Sequence, residues 1–105
     1  MLAERAELEA AARLFKALAT PARLQLLCLL ADGPATVSRL VDLSGLSQPL
    51  VSQHLRILRE TGLVTLTRTG REAVHELADT HVSHIVADAI AHAAEPEGAP
   101  GDAAR

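Results

Sequence analysis

The chain has 105 residues, a net charge of −3 and 49% hydrophobic content, which fits one small helical domain whose core oligomerisation would help to stabilise. A single cysteine excludes an internal disulfide or a CxxC metal knuckle, and a single aromatic residue, Phe15, excludes base stacking on aromatic platforms. No apolar run is long enough to span a bilayer, and the acidic, amphipathic start Met1-Leu2-Ala3-Glu4-Arg5 is unlike a secretory signal, so a cytoplasmic protein without membrane partners is expected.

Residues 4 to 18 place Leu8, Ala11, Ala12, Phe15 and Leu18 on one helical stripe. Thr20-Pro21 reads as an N-cap followed by proline at the first helical position, opening a Leu-rich helix from Ala22 to Ala31 that stops at Asp32-Gly33-Pro34. Its composition suggests a central core helix, with Cys28 as a small buried hydrophobe. Thr36 to Ser44 forms a short helix with Val37, Leu40 and Val41 facing inward. Gly45 ends it, and Ser47 caps a further helix that runs to Thr61, with Gly62 as the stop. Two short helices joined by a tight Gly-containing turn make a helix-turn-helix. Leu63 to Arg68 and Arg71 to Leu77 alternate as strands about a Thr69-Gly70 turn, a β-hairpin. The fold class is therefore mainly α with a β-hairpin wing, a winged helix-turn-helix. Residues 1–95 form the domain, with a last helix capped by Asp79 or Thr80, and 96–105 read as a disordered tail.

Residues 47 to 75 hold four arginines against two glutamates, a net +2 inside a chain whose remainder carries −5. That locally basic middle is compatible with a compact DNA footprint. In the helix from Gln48, the stripe Val51, Leu55 and Leu58 points inward, so Gln48, Ser52, Gln53 and Arg56 face out, beside the capping Ser47. Glutamine and serine suit base edges in the major groove, and arginine suits guanine or phosphate. Arg68 and Arg71 flank the hairpin tip, within reach of phosphate or the minor groove. His54 lies beside the apolar stripe and reads as structural. A solvated polar face is the alternative for any one of these residues; their coincidence with the capping signals argues for DNA.

The last helix carries Asp79, His81, His92 and Glu95 in a run otherwise rich in Ala, Val and Ile. His81 and His92 are eleven residues apart, on one face and ~16 Å apart along the axis, so one ion cannot touch both from a single helix. Antiparallel pairing with a second copy would bring Asp79 and His81 to the partner helix's His92 and Glu95, a tetrahedral zinc-type set made twice by symmetry. From these residues alone, a solvated histidine-bearing face is the equal alternative.

The run Ser47-Gln48-Pro49-Leu50-Val51-Ser52-Gln53-His54-Leu55-Arg56-Ile57-Leu58, then Glu60-Thr61-Gly62-Leu63-Val64, resembles the ArsR/SmtB family of bacterial winged-helix repressors. So does the upstream Leu18-Ala19-Thr20-Pro21-Ala22-Arg23-Leu24. The likeness covers nearly everything from residue 8 to 95. The resemblance implies a homodimer built from the first and last helices that binds an inverted-repeat operator in double-stranded DNA and represses transcription; the expected mechanism is that the apo dimer binds and metal releases it, and neither enzyme activity nor a small organic substrate is expected. It also implies two ligand locations. The one that uses cysteines before the recognition helix has no thiol here, in Pro34-Ala35-Thr36-Val37-Ser38. The one on the last helix, D-x-H-x10-H-x2-E/H, is matched at all four positions by Asp79, His81, His92 and Glu95. Nickel sensors of the family add tail ligands; residues 1 to 19 hold no His or Cys and no His follows Glu95, so Zn(II) is expected, with Co(II) as its mimic. His84 and Asp88 lie close to the same stripe and read as surface or supporting residues. The same resemblance implies that a coordinated His92 donates its other ring N–H to a backbone carbonyl near Gly62, linking the metal to the end of the recognition helix. Three rivals remain: a repressor of this fold answering a non-metal signal, a small zinc-binding protein without an operator, and a hydrolytic zinc enzyme. Four protein ligands leave that enzyme no open position for water.

Overall fold

A computed structural model describes residues 1–96; the expected tail, residues 96–105, lies almost wholly outside the described residues. The elements run α1 (Arg5–Leu18), α2 (Pro21–Ala31), β1 (Ala35–Thr36), α3 (Val37–Ser44), α4 (Gln48–Glu60), β2 (Val64–Thr69), β3 (Glu72–Leu77) and α5 (Thr80–Ala93).

Local chemistry sets the boundaries. Thr20 Oγ1 accepts from the Arg23 backbone N–H (3.2 Å), Thr36 Oγ1 from Arg39 (3.2 Å), Ser47 Oγ from Leu50 (3.4 Å) and Asp79 Oδ1 from Val82 (3.3 Å). Each satisfies one of the orphan donors of a first helical turn. Thr36 is therefore the cap of α3 and not its first residue. Gly45, at φ +74°, closes α3 in the left-handed region and makes the turn into α4. Gly62, at φ +76°, does the same between α4 and β2.

The sheet departs from the expected two-stranded hairpin. It has three antiparallel strands in the order β1-β3-β2, with Ala35 and Leu66 both opposite His75. Thr69 pairs with Glu72, so the connecting turn is Gly70-Arg71, one residue later than the sequence reading places it. β1 ties the α2–α3 connection to the wing.

The core is built from Leu26, Leu27 and Leu30 of α2, Leu40 of α3, Val51, Leu55 and Leu58 of α4, Leu63 and Val64 at the base of the wing, and Val82 and Val86 of α5. Only Ala17 and Leu18 of α1 are buried, while Leu8 and Phe15 on its apolar stripe stay exposed. A groove of about 110 Å³ between α1 and α5 is lined by Leu14, Phe15, Leu18, Leu63, Val82 and Ile85. Cys28 is exposed, contrary to the sequence reading, beside α5 residues Ser83, Val86 and Ala87. α2 is apolar on nearly every side, so its pattern does not mark which face is buried. Among the described residues, no single helix is long and apolar enough to cross a membrane.

Candidate functional site

α4 divides as its sequence requires. Val51, Leu55 and Leu58 are fully buried, and Gln48, Ser52, Gln53 and Arg56 are exposed on the far side. The exposed surface is continuous with Ser47, whose oxygen is engaged in the cap but whose hydroxyl proton remains available to a phosphate. Arg56 Nε lies 3.4 Å from Glu60 Oε2, a solvated i,i+4 pair that holds the guanidinium weakly and can be exchanged for another anion. Arg68 and Arg71 are exposed at the far end of the hairpin and have no ion-pair partner among the described residues. The described structure thus carries polar and cationic groups along one helix face and at one strand tip, a pattern able to meet base edges and backbone phosphates.

The two remaining histidines of this half have other work. His54 is partly buried, with Nδ1 3.4 Å from Arg23 Nη1. Arg23 Nε in turn donates to the Ala17 carbonyl, so the chain Ala17–Arg23–His54 joins α1, α2 and α4. Burial, then the Arg23 charge, holds the His54 pKa below its ordinary value. His75 was not singled out by sequence reasoning, because strand alternation shows it only as one more inward position. It is 3% exposed, and Arg59 Nη1 donates to its Nε2 at 2.8 Å. An arginine can only donate, so Nε2 is the acceptor and the ring proton sits on Nδ1. Nδ1 is buried without a partner, a cost of about 1–3 kcal/mol that the fold carries. Burial, then the Arg59 charge, pushes the His75 pKa down.

On α5 the spacing of 4, 3 and 4 residues sets His81, Ile85, Asp88 and His92 along one face. Two donor pairs form at its ends. His81 Nδ1 is 3.5 Å from Asp79 Oδ1, and His92 Nδ1 is 3.9 Å from Glu95 Oε2. Both pairs are largely exposed, and among the described residues of one protomer no group of three or more such donors comes together. Each pair offers one imidazole nitrogen and one carboxylate, half of a four-coordinate N/O set, which is chemistry that zinc or cobalt(II) accepts. His84 is exposed and takes part in neither pair. Gly62 follows α4, its N–H bonded to the Arg59 carbonyl.

Residues 20–65 match the bacterial regulatory protein, arsR family. The chain is 50% identical over 88 residues to the HTH-type transcriptional repressor SmtB of Mycobacterium tuberculosis, an alignment that covers 84% of this chain and 65% of SmtB. This chain thus spans just under two thirds of that relative. It is 40% identical over 81 residues to the transcriptional regulator CmtR of Mycobacterium bovis, covering 77% of this chain and 69% of CmtR. Its fold is similar to the solution structure of the homodimeric winged helix-turn-helix DNA-binding domain Mb0332 of M. bovis, with a TM-score of 0.78, 33% identity, and 89% and 88% of the two chains covered. Those relatives are transcriptional regulators or DNA-binding domains, not enzymes. With the helix-turn-helix, the wing and most of the chain aligned, this protein belongs to the ArsR family of bacterial regulatory proteins.

Proposed function

We propose that the chain is a cytoplasmic, metal-responsive transcriptional repressor that binds operator DNA as an apo homodimer and is released by Zn(II) or Co(II) at the paired α5 helices. The observation that carries this reading is the placement of Asp79–His81 and His92–Glu95 as two exposed half-sets at opposite ends of one α5 face. Neither half-set suffices for four-coordination, and a two-fold antiparallel partner supplies to each what it lacks. The uncovered apolar surface of α1 and α5, with Phe15 62% exposed and Ile85 38%, supports pairing along that side, as does the homodimeric state of the M. bovis relative.

On DNA, α4 presents Gln48, Ser52 and Gln53 to base edges, while Ser47, Arg56, Arg68 and Arg71 engage phosphates and the flanking groove. Zinc, when bound, would tie donors of the two α5 helices together. Asp79 and Glu95 would provide anionic oxygen and His81 and His92 neutral nitrogen, leaving the second ring nitrogen of His92 to donate to a backbone carbonyl near Gly62. That bond would carry the state of α5 to the end of α4. The coupling is reciprocal, so DNA weakens metal binding by the factor with which metal weakens DNA binding.

Cobalt(II) titration of the apo protein tests this directly. Strong tetrahedral d–d absorption saturating at one ion per protomer, displaced by Zn(II) and lost in His92→Ala, is the expected result. A flat or weak octahedral spectrum would overturn the metal and leave a repressor answering another signal. Gln53→Ala with Arg56→Ala should abolish binding to a duplex selected from random sequence while leaving the cobalt spectrum intact.

A further inference from the structure

The wing is anchored along its proximal half, where β1 pairs with β3 at Ala35–His75 and Thr36–Val74, and is free at its tip. Along β2 and β3, Val64 is buried, Leu77 is partly buried, and Leu66 packs opposite the buried His75. Beyond that rung, Arg68, Thr69, Gly70, Arg71 and Glu72 are all exposed. The covalent link to α4 is a short turn, Thr61-Gly62-Leu63, held by Gly62 N–H to the Arg59 carbonyl and Leu63 N–H to the Leu58 carbonyl. Such a turn leaves the tilt of the hairpin to contacts made further along it. The side-chain hydrogen bond that reaches from α4 to this anchored part of the hairpin is Arg59 Nη1 to His75 Nε2, at 2.8 Å, one rung short of the Thr36–Val74 pairing with β1.

We propose that Arg59 is a positioning residue for the wing, and that its bond to His75 is a proton-sensitive strut: neutral His75 fixes the hairpin against the last turn of α4, and protonation of His75 releases it. The chemistry admits no intermediate state. A protonated ring carries N–H on both nitrogens, so Nε2 can no longer accept, and two cations would then meet in a buried site. The proton comes from solvent and returns to it.

Among the described residues, Arg59 carries the one charge that acts on the ring, and the titratable groups of α5, which also packs on β3, are exposed. α4 presents Arg59; β1 and β2 present Ala35 and Leu66 in register with His75. The buried residues of α2 and α3 are Leu26, Leu27, Leu30 and Leu40, while Arg39 and Asp42 of α3 and Arg68 of β2 are exposed. Glu76 is the neighbour on β3 and points to the opposite sheet face. Burial and the Arg59 charge both favour neutral His75, so the folded pKa lies below that of the unfolded chain. The strut is intact above about pH 6.5 and is lost as pH falls through the folded value.

For the repressor reading, on which only this consequence rests, acidification would untether Arg68 and Arg71 from the frame of α4. The test needs neither DNA nor metal. In ¹⁵N-labelled apo protein at pH 7.5, His75 is expected as the Nδ1–H tautomer. Below about pH 6.5, hydrogen-exchange protection of β2 and β3 amides should fall by up to about tenfold per pH unit, while Val51 to Leu58 keep theirs. His75→Gln, whose amide oxygen still accepts from Arg59 but does not titrate, should flatten that response with His54 left in place. An Nε2–H tautomer, an unchanged response in H75Q, or equal loss across α4 would each overturn the strut. Were H75Q not to fold, the tautomer and the site of protection loss in the parent protein still decide. Loss of operator binding as a function would leave every one of these readouts unchanged.

Discussion

The α4–wing half and the α1–α5 half of this protein use similar residues to opposite ends. In the first, the inward stripe of α4 is closed off, although Leu50 in its first turn stays open: Val51, Leu55 and Leu58 have no exposure, and a histidine is buried and bonded to an arginine. In the second, Leu8, Phe15, Ile85 and Ile90 remain open, and His81 and His92 stand in solvent beside carboxylates. Buried histidine needs a tautomer and a partner, whereas exposed histidine is free to take a ligand. The core of the first half is closed within one protomer; the second leaves a larger apolar surface open, which fits the proposed pairing.

Three changes test that contrast. Leu55→Ala removes a fully buried side chain from the finished half and should cost about 2–5 kcal/mol, read as a lower urea midpoint at unchanged slope. A loss below about 1 kcal/mol would mean the core there is loosely packed. Phe15→Asp, on the open half, should barely move the stability of the isolated protomer but raise the dimer dissociation constant about thirtyfold, the scale of a 2 kcal/mol hot spot, in sedimentation equilibrium. A dimer unaffected by it would place the second copy on another face. Thr20→Ala deletes the α2 cap and should cost about 1 kcal/mol in thermal or urea unfolding, with no change in dimerisation.

Most of the helix boundaries were legible in the sequence. Thr20-Pro21 and Ser47 with Pro49 are chemically explicit caps that make the bonds their residue types suggest, and of the two candidates for α5, Asp79 and Thr80, it is Asp79 that caps. The inward stripe of α4 follows from period alone. β1 was not legible, because two residues, Ala35 and Thr36, cannot show an alternation. Cys28 was misplaced because a helix apolar on most sides carries no directional signal. The Arg59–His75 bond was hidden for a different reason: sixteen residues separate its partners, and only the pairing of β3 with β2, which packs on α4, brings them together. The donor spacing on α5 could be read as two ends of one face, and the structure has the two pairs there, each short of a full coordination set.

Cys28 has a practical consequence of its own. It is the single thiol of the sequence, it is exposed, and it sits on α2 against Ser83 and Ala87 of α5. A maleimide spin label there would attach once per protomer without engineering any other position. In a two-fold assembly, one label-to-label distance would then act as a ruler for how far the halves move apart when a ligand is added.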